Sequence, residues 1–334
     1  MPGPTDDAGS TDDARLTGDA GLRPLLFSIA YGMTGSVGDA EDIVQDAFLG
    51  LTRARRAGTV VAAAKPYLTT AVTRLGINHL RSARVRRERY VGEWLPEPVV
   101  VAGVPGDPRP AEHAELADSL SMAFLVLLEA LSPVERAVFM LREVFGYGYP
   151  DVARITDKSE VNCRQIFARA RRRVTADGRS REELAAARSP AARRTDGAEL
   201  ARRFFAAAGG GDLEALLDLL APDVVLHGDG GGKARALGQP LAGRDRVARL
   251  LAGLFRRGAQ IGIRLRPATV NGQPGAVSYD ADGRVVNVFA LDVAGGRVRA
   301  IHSVVNPDKL GHLGPVSDVA LLAGPVVSLP GQPG

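Results

Sequence analysis

The side chains of this chain that could do chemistry are mostly guanidinium groups, and they are bunched. Between positions 74 and 89 stand six arginines against a single acid, Glu88. Arg74, Arg81, Arg84, Arg86 and Arg87 of that set are interleaved with Asn78 and His79. A second bunch holds Arg164, Arg169, Arg171, Arg172 and Arg173, with Glu160, Asn162 and Gln165 among them. A guanidinium fork matches both a phosphate and the major-groove edge of guanine, and Asn, Gln or Glu can complete base recognition. Both sets suit nucleic-acid binding, with phosphates for grip and base edges for selection. A basic face that merely stays solvated explains the same residues, and the helix macrodipole alone favours arginine near a helix C-terminus.

A third set is acidic: Asp39, Glu41, Asp42, Gln45 and Asp46. Such a face suits a basic protein partner, although acids in a first turn also stabilise their own helix. Covalent chemistry is harder to assemble. His227, Asp229, Tyr279, Asn287 and His302 could serve a pocket, but no acid–base pair follows from their spacing, and a strand histidine is more often packed than catalytic. The run Gly228-Asp229-Gly230-Gly231-Gly232-Lys233 has the look of a phosphate cradle, yet Ala234 stands where the Walker spacing needs Ser or Thr. Its glycines suit a tight loop packed against another domain. No Cys/His spacing suggests a metal, and no cofactor is expected.

These residues need elements to hold them. Ser132-Pro133-Val134-Glu135 is a helix start, with a Ser N-cap, Pro at the first position and Glu placed to close a capping box. Ala137, Val138, Leu141 and Val144 then share a face. A turn at Gly146 and Gly148 precedes a short helix from Pro150 to Ile155, and a second helix runs from Glu160 to Val174. Two short helices across a tight turn are the layout of a helix-turn-helix, with Ala153 at the close approach and Cys163 and Phe167 facing inward. Asp157 occupies the turn position usually given to Gly; it tolerates the left-handed conformation better than most residues. Upstream, Asp39 caps an amphipathic helix with Ala40, Ile43, Val44, Ala47, Phe48 and Leu51 as its buried stripe. Lys65-Pro66-Tyr67 opens the basic helix, whose apolar positions are Leu68, Ala71, Val72, Leu75 and Leu80.

At 334 residues, 45% hydrophobic and 24% charged, the chain has material for two or three packed domains. A formal net charge of +4 says less than where the charge gathers. A single cysteine excludes an internal disulfide framework. No apolar run has the length of a membrane span and the start lacks a signal-peptide core, so a cytoplasmic protein with no membrane partner is expected.

Residues 1–18 are acidic and Gly/Ser/Thr-rich and are expected to be disordered. Residues 19–90 form the first helical domain, 91–118 a Pro/Trp-rich linker, 119–175 the helix-turn-helix domain and 176–196 a second linker. The first linker carries the lone tryptophan, Trp94, and is therefore expected to pack somewhere. Residues 197–310 change in kind: helices around Phe204 and Phe205, from Asp212 to Leu220 and from Arg244 to Arg256, then strands turned at Asp282-Gly283 and Gly295-Gly296. Helices followed by an antiparallel meander read as α+β. Residues 311–334 are a Pro/Gly-ended tail.

The segments AEDIVQDAFL, KPYLTTAVTRLGINHLRSARVRRE and SPVERAVFMLREVFGYGYPDVARI…EVNCRQIFARARRRV, in this order, resemble an extracytoplasmic-function (ECF) sigma factor. GDLEALLDLLAPDVVLHGDGGGK resembles the SnoaL-like members of the NTF2-like superfamily. WLPEP (Trp94–Pro98), DGGGK (Asp229–Lys233) and NPDKL (Asn306–Leu310) are similar to signatures of the SigJ-like subgroup, in which the two are fused. The resemblance implies a multidomain chain: an all-α sigma-2 bundle, an all-α sigma-4 helix-turn-helix and an α+β SnoaL/NTF2-like cone.

It also implies that the chain directs promoter-specific initiation by bacterial core RNA polymerase and is not itself an enzyme. Asp39, Glu41, Asp42, Gln45 and Asp46 would meet the polymerase. Arg74, Asn78, His79, Arg81, Arg84, Arg86 and Arg87 would meet the −10 element. Glu160, Asn162, Arg164, Gln165, Arg169, Arg171, Arg172 and Arg173 would meet the −35 element. Trp94, Leu95 and Pro96 would form a regulatory interface with Asp229, Gly230, Lys233, Asn306, Pro307, Asp308 and Lys309. A fused regulator would remove the need for a separate anti-sigma protein, and the SnoaL-like pocket could hold an unknown ligand. Two rivals stay open on the residues alone: a stand-alone helix-turn-helix regulator, and an isomerase or hydrolase on the C-terminal domain.

Overall fold

A computed structural model describes residues 19, 21–87, 90–101, 120–176 and 194–319, and the side chains of 83–87, 176 and 194–196 lie outside that description. The described chain falls into two compact units. The first gathers residues within Met1–Thr34, Gly38–Arg81 and Ser132–Arg171; the second gathers Gly35–Val37, Ser82–Leu131 and Arg172–Gly334.

The first unit is helical: α1 (Arg23–Thr34), α2 (Val37–Arg56), α3 (Ala64–Arg87), and, further along the chain, α5 (Pro133–Phe139), α6 (Tyr149–Thr156) and α7 (Glu160–Ala176). Helix α4 (Met122–Leu128) stands between them in sequence but groups with the second unit. Met33, Ile77, Leu80 and Ala137 form one apolar cluster, so α1, α3 and α5 share a core. Gly76 permits that approach, since a Cβ there would lie 3.2 Å from the Met33 side chain. Arg136 reaches through the core, 1% exposed, and its Nε donates to the Gly32 carbonyl at 2.9 Å. That carbonyl is one of the orphans every helix C-terminus must satisfy.

The helix-turn-helix forms as the sequence predicts. Ser132 and Glu135 close a full capping box with Pro133 in the first turn. Asp157 ends α6 in the left-handed conformation at φ 55°. Val138, Leu141, Val152, Ala153, Ile155, Cys163 and Ile166 make its core. Phe167 is only half-buried: it stacks on Phe139 at 5.8 Å and meets Tyr149 edge-on. One unforeseen feature is the π-helical turn Met140–Val144 that follows α5.

The second unit holds α8 (Arg194–Gly210), α9 (Leu213–Leu219) and α10 (Arg244–Gln260) with strands β2 (Leu220–Asp229), β3 (Leu241–Ala242), β4 (Arg264–Val270), β5 (Gln273–Tyr279), β6 (Val285–Ala294) and β7 (Arg297–Val304). A further strand, β1 (Val100–Val101), comes from the first linker and pairs antiparallel with β4. The sheet order is β1-β4-β5-β6-β7-β2-β3. Strands β4 to β7 are the expected antiparallel meander, but β2 pairs parallel with β7, so the sheet is mixed. The long connection through α10 lets β2 return to β7 in that sense.

Three hairpins join β4 to β7. Gly295 and Gly296 both have positive φ, as a two-residue type I′ turn requires. Asn271 and Gly272 do the same between β4 and β5; this Asn-Gly pair was a legible hairpin signal.

The two faces of the sheet differ. Leu226, Phe289, Leu291 and Ile301 face the helices, with Phe204, Phe255 and Leu216 opposite them. Val277, Tyr279, Val288, Ala290 and Val304 face Leu95 and Val100 of the linker and Met122 of α4. Residues past 310 also join this unit: Val285 N donates to Pro315 O, and Ser317 N to Val285 O, both at 2.8 Å.

Two predictions follow from these cores. Arg136→Met keeps the apolar stem but strands the Gly32 carbonyl, a loss of about 1–3 kcal/mol; amide exchange in α1 and α5 should accelerate accordingly. The second concerns Asp280. Burial opposes its ionisation, but bonds from Ser317 Oγ (2.6 Å), the Arg284 amide (2.9 Å) and Arg284 Nε (2.9 Å), with the Arg284 charge, hold its pKa down to about 2. A depressed carboxylate stabilises the fold above its ordinary value of 3.8 and ceases to do so as pH falls through about 2. Acid unfolding of the wild type should steepen across that window, and Asp280→Asn should flatten it.

Candidate functional site

Helix α7 presents one solvent face. Cys163, Ile166 and Ala170 are buried, which turns Val161, Arg164, Gln165, Ala168 and Arg169 outward. Glu160 and Arg172 are also exposed, as is Arg173; Asn162 and Arg171 are half-buried. Ser159 Oγ accepts from the Asn162 amide at 3.2 Å and caps the helix. Arg164 lies 4.5 Å from the centroid of the Tyr149 ring, and Arg142 lies 4.8 Å from the same ring. Arg164 Nη2 also reaches Glu160 at 3.4 Å. Sequence reasoning selected the polar members of this face and passed over Val161 and Ala168; exact helix phase was the missing information.

Glu41, Asp42, Gln45 and Asp46 are all exposed on α2, while Ala40, Ile43, Val44, Ala47 and Leu51 are buried. Leu49, 43% exposed, extends the acidic face with an apolar residue. Asp39 departs from the set: its carboxylate meets His79 Nε2 of α3 at 3.2 Å. On α3, Asn78 and Arg81 are exposed. The guanidinium of Arg74 is engaged by the C-terminal end of α6, with Nε donating to Ile155 O (3.0 Å) and Nη2 to Arg154 O (3.2 Å). The side chains of Arg84, Arg86 and Arg87 lie outside the described residues.

The third constellation is built by the linker on the sheet. Asp229, at the end of β2, is fully buried. One carboxylate oxygen accepts from Tyr90 Oη at 2.5 Å; the other accepts from the Leu95 amide at 2.8 Å and from Lys309 Nζ at 2.6 Å. Lys309 Nζ also donates to the Leu95 carbonyl and sits 4.1 Å from the Trp94 ring centroid and 5.0 Å from that of Tyr90. Asn306 Nδ2 donates to Tyr90 Oη at 2.7 Å. Burial and the adjoining Asp229 carboxylate push the Tyr90 phenol well above its ordinary range, so it stays a donor.

The glycines of the loop are required by contact. A Cβ on Gly230 would fall 2.2 Å from the Ala234 carbonyl, and one on Gly231 2.3 Å from Asn306 Nδ2. Pro96 is buried, whereas Lys233 and Asp308 form an exposed ion pair at 2.6 Å beside the half-buried Pro307. Such a pair contributes little.

The pocket candidates divide between the two faces. His227, Asp229, Tyr279 and His302 lie on the linker side. The imidazoles of His227 and His302 stack at 5.0 Å, and His227 Nδ1 meets Glu93 of the linker at 2.7 Å. Asn287 alone turns to the helices, bonded to Ser303 Oγ at 3.1 Å. These five residues therefore do not converge on one cavity. Among the described residues no His/Cys/Asp/Glu group could hold a metal.

Residues 20–86 match the Sigma-70 region 2 family, 121–174 match Sigma-70, region 4, and 201–305 match the SnoaL-like domain. The ECF RNA polymerase sigma factor SigJ of Mycobacterium tuberculosis is 39% identical over 295 residues, spanning 86% of this chain and 90% of that protein. The chain belongs to the ECF RNA polymerase sigma factors. A probable ECF sigma factor of the same organism, SigI, is 33% identical over 87% of this chain and 93% of its own length. The crystal structure of SigJ superposes with a TM-score of 0.69 and 34% identity, covering 90% of this chain and 99% of that one. This sigma factor thus joins two helical sigma regions to a SnoaL-like domain with a mixed sheet, and it serves promoter-specific transcription initiation. Among its described residues no helix is long and apolar enough to cross a membrane.

Removing one partner of the buried pair should be costly. Asp229→Ala leaves the Lys309 ammonium without its anion and should destabilise the second unit by about 3–5 kcal/mol. Replacing both, as Asp229→Leu with Lys309→Met, should recover most of that loss. Denaturation followed by the emission of Trp94, the sole tryptophan, reads both variants.

Proposed function

We propose that this sigma factor is regulated in cis, its SnoaL-like domain gripping the linker between the two sigma regions. The observation that carries this reading is the buried Asp229–Lys309 pair, which holds Leu95 by both its amide and its carbonyl. Three more fastenings support it: β1 pairs with β4, Asn271 Oδ1 accepts from the Val99 amide, and His312 meets the Pro98 carbonyl. A linker held at so many points cannot be a free tether, so its path limits how the two DNA-reading regions can be spaced. A separate anti-sigma protein is then unnecessary, and the protein works in the cytoplasm beside the polymerase.

On this reading Glu41, Asp42, Gln45 and Asp46 dock on core polymerase, aided by Leu49. Asn78, Arg81 and the arginines after it meet the −10 element, and the exposed face of α7 meets the −35 element. Arg74 joins the −10 contacts only when its bonds to α6 are released, and His79 only when it leaves Asp39. The SnoaL-like domain acts by binding the linker, and no reaction is assigned to it.

Run-off transcription with bacterial core polymerase on a promoter library is the test. Promoter-dependent transcripts are expected from the full chain. The paired Asp229→Leu and Lys309→Met variant, folded but with a freed Leu95, should change transcript yield or the preferred −10/−35 spacing. Unchanged yield and spacing would remove the regulatory reading and leave the sigma assignment standing.

A further inference from the structure

The outward face of α7 carries an apolar residue where a solvated helix has no use for one. Val161 is 66% exposed in the first turn, beside Glu160 and one turn before Arg164 and Gln165. The N-terminal residues of a recognition helix are those that meet base edges. An exposed branched side chain there can make one kind of base contact, with the C5-methyl of thymine, the single apolar group on the major-groove edge.

The neighbours show that this face is set before DNA arrives. Arg164 would be a flexible cation on a bare helix, but here it lies against the Tyr149 ring and pairs with Glu160. Tyr149 is in turn covered by Arg142, whose Nη1 donates to Tyr147 O at 2.9 Å. The guanidinium is oriented while its side chain stays 60% exposed. Val161 lies three residues away on the same face, so one side chain offers a fork and the other a methyl surface.

We infer that Val161 is a specificity-determining residue of −35 recognition, selecting thymine by its methyl group at a base step next to the one Arg164 reads. The inference rests on the −35 role of α7.

The test uses the full chain with core polymerase on a promoter first selected from a library randomised in the −35 region. Each −35 thymine is then replaced in turn by deoxyuridine, which removes the methyl and nothing else. For the wild type, one such replacement should lower open-complex formation about fourfold, the worth of one methyl-sized apolar contact. For Val161→Ala the same template pair should differ by less than twofold. Arg164→Ala should weaken both templates and keep their ratio. Indifference of the wild type to every thymine-to-uracil change overturns the inference, as does an undiminished ratio in Val161→Ala. If selection enriches −10 sequences but no −35 sequence, the −35 role of α7 fails first, and the inference falls with it.

Discussion

In the second unit one buried ion pair ties the linker to the sheet. Asp229 ends β2 and Lys309 ends the short turn Pro307–Lys309 that follows β7, and neither charge could stay there alone. Each is satisfied by the linker as well as by the other: Leu95 supplies an amide to the acid and a carbonyl to the base, while Trp94 and Tyr90 flank the ammonium with their ring faces. Removing the linker would expose both charges to an incomplete shell. The linker is therefore part of the folding problem of the domain, although it lies more than a hundred residues away in sequence.

This arrangement explains the glycine loop that resembles a phosphate cradle. Gly230 and Gly231 leave room for the Ala234 carbonyl and for Asn306, and Asn306 orients the Tyr90 hydroxyl that completes the shell of Asp229. The loop is occupied by its own protein. The paired histidines tell the same story, since Glu93 meets His227 from the linker. What looked like a set of residues for chemistry is mostly a set of residues for holding a chain segment.

In the first unit arginine does three different jobs. Arg136 is buried and closes the end of α1; Arg74 caps the end of α6; Arg164 is stacked and held in the open. Composition cannot separate these roles, because each uses the same fork of donors against a different acceptor. Their acceptors separate them: Arg136 is almost wholly enclosed on the Gly32 carbonyl, Arg74 is exposed but bonded to the Ile155 and Arg154 carbonyls, and Arg164 is mostly exposed against the Tyr149 ring.

The sequence by itself determined the local elements. The capping box at Ser132, the left-handed Asp157, the stripe of α2 and the Gly295-Gly296 turn each follow from interactions a few residues long, and each appears where the residue pattern puts it. Three segments in their order along the chain carry the likeness to the ECF sigma factors. Tertiary structure decided what the pattern could not hold. It paired β2 parallel with β7, drew Val100–Val101 into the sheet and turned His227 and His302 toward the linker. It also set the phase that brings Val161 outward and assigned each arginine its acceptor. The physical reason is range: a cap or a turn is settled by neighbours along the chain, whereas a buried charge or a strand partner is settled by whichever distant segment satisfies it.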